Sequence, residues 1–402
     1  MTRARSRTLS VIAGGALLTG GLGTAAATSA AAAPPPAPSV VASGLNNPRH
    51  LTFAGNRLLV AESGSGGSGP CIISSEGGQV CYGATGSITE VTTKHGTWRQ
   101  RRVVTGLPSL APPADDAANG VTKGGSATGP SDVDTFWGRY VVSVGLGAPP
   151  TARNQGQATV SASSSAPATL PKGFGTLLLT GGDRGPWWRH QRHEQLHVLA
   201  DIAAHEQATN PVDDPDSNPA ALLRVGASYV VADAGGNSIV SAGLFGRVRT
   251  IASFPDQMVQ APGAPAGVLM PMQFVPTSVA RYRGHLYVSQ LTGYPFPQGG
   301  STVWRLDAAG HATPYATGLT NVTDLAFAPD GTLYAVEISA GGLASTGPIG
   351  ALVRIPAGGG AAQTVAGGLF APYGLALHRG SAYVTTGSVL PGGGEVVRIP
   401  LG

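Results

Sequence analysis

Residues capable of chemistry recur at two positions of a phrase that is repeated along this chain. Two residues after the repeated Pro, or the residue that replaces it, stand His50, Asp132, Ala221, Ser278, Asp324 and Gly374. A later apolar stretch of each copy ends at Glu62, Val144, Asp233, Gln290, Glu337 and Thr386. Five carboxylates, one imidazole and one amide around one opening could bind a hard cation such as calcium, or polarise a substrate. The candidate ligand or cation site therefore consists of His50, Glu62, Asp132, Asp233, Gln290, Asp324 and Glu337. The alternative is that these side chains cap turns and bind water.

A second motif, at His193–His197, fits the H-E-x-x-H pattern of zinc peptidases. In those enzymes two His one helical turn apart bind zinc and the Glu activates water. The flanking residues alternate like a strand, however, and on a strand His193 and His197 would lie about 13 Å apart, too far for one metal ion. We therefore favour a solvated turn followed by a strand, and keep zinc as a remote alternative.

The phrase that carries the first set of residues predicts the architecture. Each copy has a turn, an apolar strand, a tight turn and an aromatic-rich strand, and the copies begin at NNPRHLTF, TGPSDVDTF, DSNPAALLRV, FVPTSVARY, LTNVTDLAF and FAPYGLALH. Alternating apolar residues closed by Gly and Asp turns are typical of β-strands. Repeats of about 40 to 50 residues with several strands each are typical of propeller blades. The sequence therefore predicts an all-β, six-bladed β-propeller of four-stranded antiparallel blades.

The two ends of the repeat region predict how the ring closes. The last copy lacks its fourth strand, and SVVASGL (Ser39–Leu45) resembles the sequences of the fourth strands of other copies. We expect this N-terminal strand to complete the last blade, which removes open sheet edges. The uneven spacing of the copies predicts insertions near 63–84, 112–128 and 149–172, and a short helix is expected at Asp201–Thr209.

Residues 1–33 are expected to be a secretory signal peptide, followed by a Pro-rich lead-in at 34–38 and a single propeller domain at 39–402. Three arginines precede an apolar run and an Ala-rich stretch. The apolar run is too short for a good membrane anchor and is interrupted by glycines. Without these arginines the formal charge of +4 falls to about +1, which leaves no basic field for nucleic acid. We predict a secreted or cell-surface protein, monomeric, with no transmembrane segment.

The chain contains two cysteines, Cys71 and Cys81. In an oxidising compartment their short separation favours a disulfide that closes a small loop or hairpin. A metal pair or a redox motif fits the spacing less well, because no further cysteine is present.

As a set, the phrases GLNNPRHLTF, SATGPSDV, ADIAAHEQATNP, YVVADAGGNSIV and LTNVTDLAFAPDGTLYAVE resemble the ScyD/ScyE-like family of secreted bacterial propellers. The resemblance extends over about Ser39 to Gly402. It implies export and a six-bladed ring, but no established reaction, so no catalytic residue is transferred from it.

These observations lead to two main hypotheses about function. The first is a secreted propeller that binds a small-molecule or protein partner, or acts as a scaffold, without catalysing a reaction. The second is a cation-dependent enzyme of the lactonase or quinoprotein sugar-dehydrogenase type. In that case His50, Glu62 and Asp233 would be the base and the cation ligands.

Overall fold

The computed structural model describes residues 37–154, 170–181, 196–210 and 215–401. Within these ranges the chain forms an all-β ring of six four-stranded antiparallel blades with one α-helix. The six repeated phrases form the first two strands of the six blades, as the sequence predicts. The predicted signal peptide, His193 and the middle of the stretch near 149–172 lie outside the described residues.

Along the chain, strand β1 (Ser39–Leu45) comes before the strands of blade 1. The four strands of blade 1 are β2 (Pro48–Ala54), β3 (Arg57–Glu62), β5 (Gln79–Lys94) and β6 (Thr97–Ala111), and an additional short strand, β4 (Cys71–Ile73), pairs with the beginning of β5. Blade 2 contains β7 (Pro130–Phe136), β8 (Arg139–Val144), β9 (Thr176–Thr180) and β10 (His197–Asp201). Blade 3 contains β11 (Pro219–Val225), β12 (Ser228–Asp233), β13 (Ser238–Gly243) and β14 (Val248–Ser253).

The last three blades follow a two-stranded hairpin, β15 (Gln257–Gln260) and β16 (Leu269–Met272), which the repeats did not predict. Blade 4 contains β17 (Pro276–Tyr282), β18 (His285–Gln290), β19 (Ser301–Leu306) and β20 (Ala312–Leu319). Blade 5 contains β21 (Val322–Phe327), β22 (Leu333–Glu337), β23 (Ile349–Ile355) and β24 (Gln363–Phe370). Blade 6 contains β25 (Leu375–His378), β26 (Ser381–Thr386) and β27 (Gly394–Pro400).

The N-terminal strand β1 supplies the fourth strand of blade 6. It pairs antiparallel with β27, and the register places Val40 opposite Val397 and Leu45 opposite Gly394. Leu45 is completely buried. The predicted closure of the ring is therefore confirmed, and the edge of β27 is covered by backbone hydrogen bonds rather than exposed.

The core is divided into six hydrophobic clusters, one between each pair of neighbouring blades. Between blades 1 and 2, for example, Leu59 packs in the same cluster as Val142. Between blades 6 and 1 the cluster contains Val41 and Tyr383. Each blade buries both faces of its sheet, which explains why the second strands are apolar at consecutive positions.

The insertion near 63–84 is a disulfide-bonded hairpin. Cys71 and Cys81 face each other across β4 and β5 with their Cα atoms 4.0 Å apart, so the predicted disulfide is confirmed. The glycine-rich run before it packs closely against β5 and β6. A Cβ at Gly66 would lie 2.6 Å from the backbone nitrogen of Ala111. The glycines there permit a close approach between two backbones.

The predicted short helix is present as α1 (Ile202–Thr209), directly after β10. The Asp201 side chain accepts a hydrogen bond from the backbone N–H of Ala204, the usual arrangement of an N-cap. None of the described helices has the length and hydropathy needed to cross a bilayer.

Candidate functional site

The first strands of the blades surround the central channel, and hydroxyl groups fix their positions. At five of the six junctions a Ser or Thr of one blade donates a hydrogen bond to a backbone carbonyl on or just before the first strand of the next blade. The pairs are Ser63 with Pro130, Ser143 with Ala220, Thr277 with Val322, Thr323 with Tyr373 and Thr385 with Arg49, at 2.7–3.0 Å. The junction between blades 3 and 4 instead contains the stacked rings of Phe254 and Phe274, with centroids 3.9 Å apart. These contacts make the wall of the channel rigid.

The inner ring of predicted residues also bridges neighbouring blades. Asp132 accepts a hydrogen bond from the Leu222 N–H of blade 3 at 2.9 Å. Asp324 accepts one from the Leu375 N–H of blade 6 at 2.6 Å, and another from the Ser278 hydroxyl at 2.6 Å. These carboxyls are therefore held in fixed positions by the main chain.

His50 lies between the two carboxyl groups of the ring. Its Nδ1 is 3.1 Å from the carbonyl oxygen of Ser131, and its Nε2 is 3.9 Å from Oδ1 of Asp324. At the position equivalent to His50, blade 6 has Gly374, where a Cβ would lie 2.4 Å from a backbone oxygen of blade 1. The ring closes so tightly there that only glycine fits.

A cavity of about 300 Å³ occupies the channel. Its inner end is lined by His50, Asp132, Ser278 and Asp324, and its outer end by Thr52, Asp134, Leu223 and Arg224. His50, Asp132 and Asp324 are 2–8% exposed, whereas the Arg224 side chain is 50% exposed. The cavity therefore opens at the end of the first strands, and His50, Asp132 and Asp324 lie at the closed end.

The closed end is covered from the other side by Tyr373. The Tyr373 ring meets the His50 ring edge to face with centroids 5.0 Å apart, and the Arg49 guanidinium lies 4.7 Å above the Tyr373 ring. Burial raises the pKa of the Tyr373 hydroxyl, so it remains a neutral hydrogen-bonding group. Arg49 and Tyr373 are not among the predicted site residues, although both directly precede positions of the inner ring.

Burial dominates the electrostatics at the closed end. It raises the pKa of Asp132 to about 7, and the nearby charge of Asp324 acts in the same direction, while His50 and two backbone N–H groups oppose it. Burial also raises the pKa of Asp324, against the effects of His50 and Ser278. A carboxyl group that exchanges its proton near neutral pH can donate or accept a hydrogen bond to a ligand.

The second set of predicted residues is not part of this cavity wall. Glu62 forms a two-point ion pair with Arg102, at 2.7 and 3.0 Å, and accepts the Asn46 N–H. Glu337 accepts the Thr320 N–H, and burial raises its pKa. These side chains hold the loop that leads into the first strand of their own blade.

Asp233 and Gln290 are likewise occupied within their surroundings. Asp233 accepts hydrogen bonds from the Asn218 N–H and the Ser217 hydroxyl, and burial raises its pKa to about 7. Gln290 accepts a hydrogen bond from the Trp304 indole and donates one to Gln257. Of the seven predicted residues, the structure thus brings His50, Asp132 and Asp324 together in the cavity lining. The other four do not line the cavity.

The metal hypotheses receive no geometric support in the described part of the chain. Among those residues, no group of three or more His, Cys, Asp or Glu side chains is placed to hold a metal ion. Backbone N–H groups occupy part of the acceptor capacity of the Asp132 and Asp324 carboxyls. His197 is the first residue of the strand β10, and the helix that a zinc-peptidase motif requires is not formed at this residue.

The fold and the channel cavity define this protein as a six-bladed β-propeller with a cavity on its axis. No protein-family model and no curated protein matches the chain. Solved structures similar to it include a Thermus thermophilus protein provisionally assigned as an oxidoreductase (glucose dehydrogenase), with 15% identity, a TM-score of 0.47, and coverage of 90% of this chain and 99% of that one.

Two other similar structures extend the comparison. One is a streptogramin B lyase, with 10% identity, a TM-score of 0.43, and coverage of 90% of this chain and 96% of that one. The other is a protein provisionally assigned as a gluconolactonase, with 15% identity, a TM-score of 0.38, and coverage of 68% and 78%. At these identities and TM-scores no site residue and no activity is transferred to this chain.

Proposed function

We propose that this protein is an exported, ScyD/ScyE-like propeller that binds a small polar molecule in its channel cavity. The observation that carries the proposal is the group of His50, Asp132 and Asp324, held rigidly at the closed end of an open cavity. A rigid site binds without the entropic cost of ordering its side chains. The N-terminal sequence and the Cys71–Cys81 disulfide support export.

The chemistry of the wall favours a neutral ligand rich in hydroxyl groups. The Asp132 and Asp324 carboxyls and the Ser278 hydroxyl offer hydrogen-bond acceptors, whereas Asp134 and Arg224 pair with each other at 3.2 Å. Because the pKa of Asp132 is about 7, this carboxyl also offers a donor at neutral pH and does not demand a cationic ligand. The cavity volume matches the lower end of the usual range for small-ligand pockets, the size of a single sugar or sugar lactone.

Isothermal titration calorimetry with a panel of monosaccharides, polyols and sugar lactones tests this proposal. We expect one member of the panel to bind, and Asp132→Asn to weaken its binding about tenfold, which corresponds to about 1.4 kcal/mol. Asp330→Asn is the matched control, because Asp330 is exposed in a turn of blade 5. Absence of binding across the panel, or equal binding by both variants, would contradict the proposed ligand class.

A catalytic role is the second candidate, and the raised pKa of Asp132 favours it. A carboxyl group with a pKa near 7 suits general acid–base catalysis at neutral pH. Hydrolysis of the lactones that bind, followed with and without added calcium, tests this role and the predicted cation dependence. Turnover by the wild-type protein that Asp132→Asn abolishes would make the protein an enzyme, and binding without turnover would leave it a binding protein.

A further inference from the structure

Arginines are concentrated near the turns on one side of the ring. We call the side where the first strands begin the start face, and the opposite side, with the turns between first and second strands, the turn face. On the start face the connections 291–300, 338–348 and 387–393 contain no charged residue. At or beside the turns of the opposite side lie Arg57, Arg139, Arg247, Arg283 and Arg379, and two aspartates, Asp307 and Asp330.

Two large aromatic side chains project from the turn face. Trp137, in the turn between β7 and β8, is 91% exposed, and Phe245, in the turn between β13 and β14, is 101% exposed. Their neighbours Phe136 and Leu244 pack against the same hydrophobic cluster between blades 2 and 3. Trp137 and Phe245 therefore lie on the same face of the ring, in turns that border one junction.

The conformation of Trp137 shows that the fold does not require a tryptophan there. Trp137 has φ 48° and Gly138 has φ 73°, so both residues of the turn adopt the left-handed conformation. Asn, Asp or Gly is favoured at the first of these positions, and a bulky residue is strained. The Trp137 ring stacks on Phe136, with centroids 5.3 Å apart, and so stays directed outward.

The charge around these rings is positive. Arg247 and Arg249, which follow Phe245, are both exposed. Arg224, at the open end of the cavity, is half exposed, and its ion pair with Asp134 accounts for the acidic group facing it from blade 2. We call Trp137, Phe245, Arg224, Arg247 and Arg249 the arginine–aromatic surface.

We propose that the arginine–aromatic surface docks on an anionic lipid bilayer. Indole and phenyl rings at the tips of turns are suited to the interface between headgroups and acyl chains, and arginines beside them attract anionic headgroups. A phenyl ring with no polar group, fully exposed at the tip of a turn, fits insertion better than recognition of a hydrated polymer. Docking in this orientation would turn the open end of the cavity toward the bilayer.

Co-sedimentation of the exported form, without the predicted signal peptide 1–33, with phosphatidylcholine vesicles, with and without 30% phosphatidylglycerol, tests the proposal. We expect binding to the anionic vesicles alone, a decrease with added salt, and at least a tenfold lower partition coefficient for the double variant Trp137→Asn, Phe245→Ser. Asn suits the left-handed position of Trp137, so this variant should fold. Leu269→Ser, on the hairpin of the start face, is the matched control and should bind like the wild type.

A second pair of variants separates charge from apolar insertion. Arg247→Gln with Arg249→Gln should reduce binding and its salt dependence, whereas Lys123→Gln, in the connection from β6 to β7 on the start face, should not. Absence of vesicle binding by the wild type, or undiminished binding by the aromatic double variant, would overturn the proposal. Binding to an anionic polysaccharide but not to vesicles would overturn it in favour of a glycan partner.

Discussion

Asp132 makes the stability of the ring depend on pH in an unusual direction. Burial raises the pKa of this carboxyl from 3.8 to about 7 in the folded protein. A carboxyl with a higher pKa when folded binds protons more readily in the folded state, so its contribution is greatest below the unfolded pKa and is lost as the pH rises to about 7. Each pH unit within this window costs about 1.4 kcal/mol, so Asp132 lowers the free energy of unfolding by about 3 kcal/mol between pH 5 and pH 8.

Guanidinium unfolding of the wild type and Asp132→Asn at pH 5, 6, 7 and 8 measures this effect. Asn removes the titration, so the decrease in the free energy of unfolding should be about 3 kcal/mol smaller in the variant. Asn also loses one acceptor for the N–H groups of Val133 and Leu222, which should cost about 1–3 kcal/mol at every pH without altering the slope. Asp233, whose pKa is also raised to about 7, contributes the same slope to both proteins.

Asp330→Asn provides the control for this experiment. Hydrogen bonds from Thr332 lower the pKa of the exposed Asp330 carboxyl, so it titrates below the pH range used. Its substitution should leave the dependence on pH unchanged. The reasoning is refuted if the wild type is equally stable at pH 5 and pH 8, or if Asp132→Asn retains the full decrease.

Three further predictions concern the ring itself. Deletion of Ser39–Leu45 exposes the edge of β27 and should lower the melting temperature by more than 10 °C and cause aggregation, measured by circular dichroism and gel filtration; an unchanged melt would show that closure does not depend on this strand. The double variant Cys71→Ser, Cys81→Ser should lose about 2–3 kcal/mol of stability in chemical unfolding, while ligand binding in the channel stays intact. Gly374→Ala places a Cβ against the backbone of blade 1 and should cost about 1–3 kcal/mol, whereas Gly78→Ala, which meets open space, should be tolerated; equal stability of the two variants would contradict the tight packing at this junction.

The sequence was sufficient to predict the blades because their signal is repeated six times. Each copy alternates apolar residues and ends in a turn, and the missing fourth strand of the last copy has its counterpart at Ser39–Leu45. The disulfide and the helix were also predicted correctly, since each depends on residues close together in the chain. The hairpin of β15 and β16 was missed because it occurs once, outside the repeat.

The candidate site was harder to predict. The alignment of the repeats shows where a residue lies in its blade, but not which groups its side chain contacts. Glu62 and Glu337 occupy equivalent places, yet backbone N–H groups of their own lead-in loops bind them. Asp132 lines the cavity, and its partner, the Leu222 N–H, belongs to another blade. The recurring Ser and Thr residues that bridge the blades were visible in the sequence, but their role follows only from the geometry of the ring.

The closure of the ring by β1 and β27 also determines when the protein can finish folding. β1 precedes the other strands of the ring along the chain, and its partner β27 follows them, so β1 must wait while several hundred residues are made. At ordinary rates of translation this delay lasts on the order of tens of seconds. During that time β1 has no sheet to join, and the apolar residues that later fill blade 6 remain unpaired. Residues that keep β1 from pairing with other strands until β27 is made would therefore affect the yield of native protein without altering its stability.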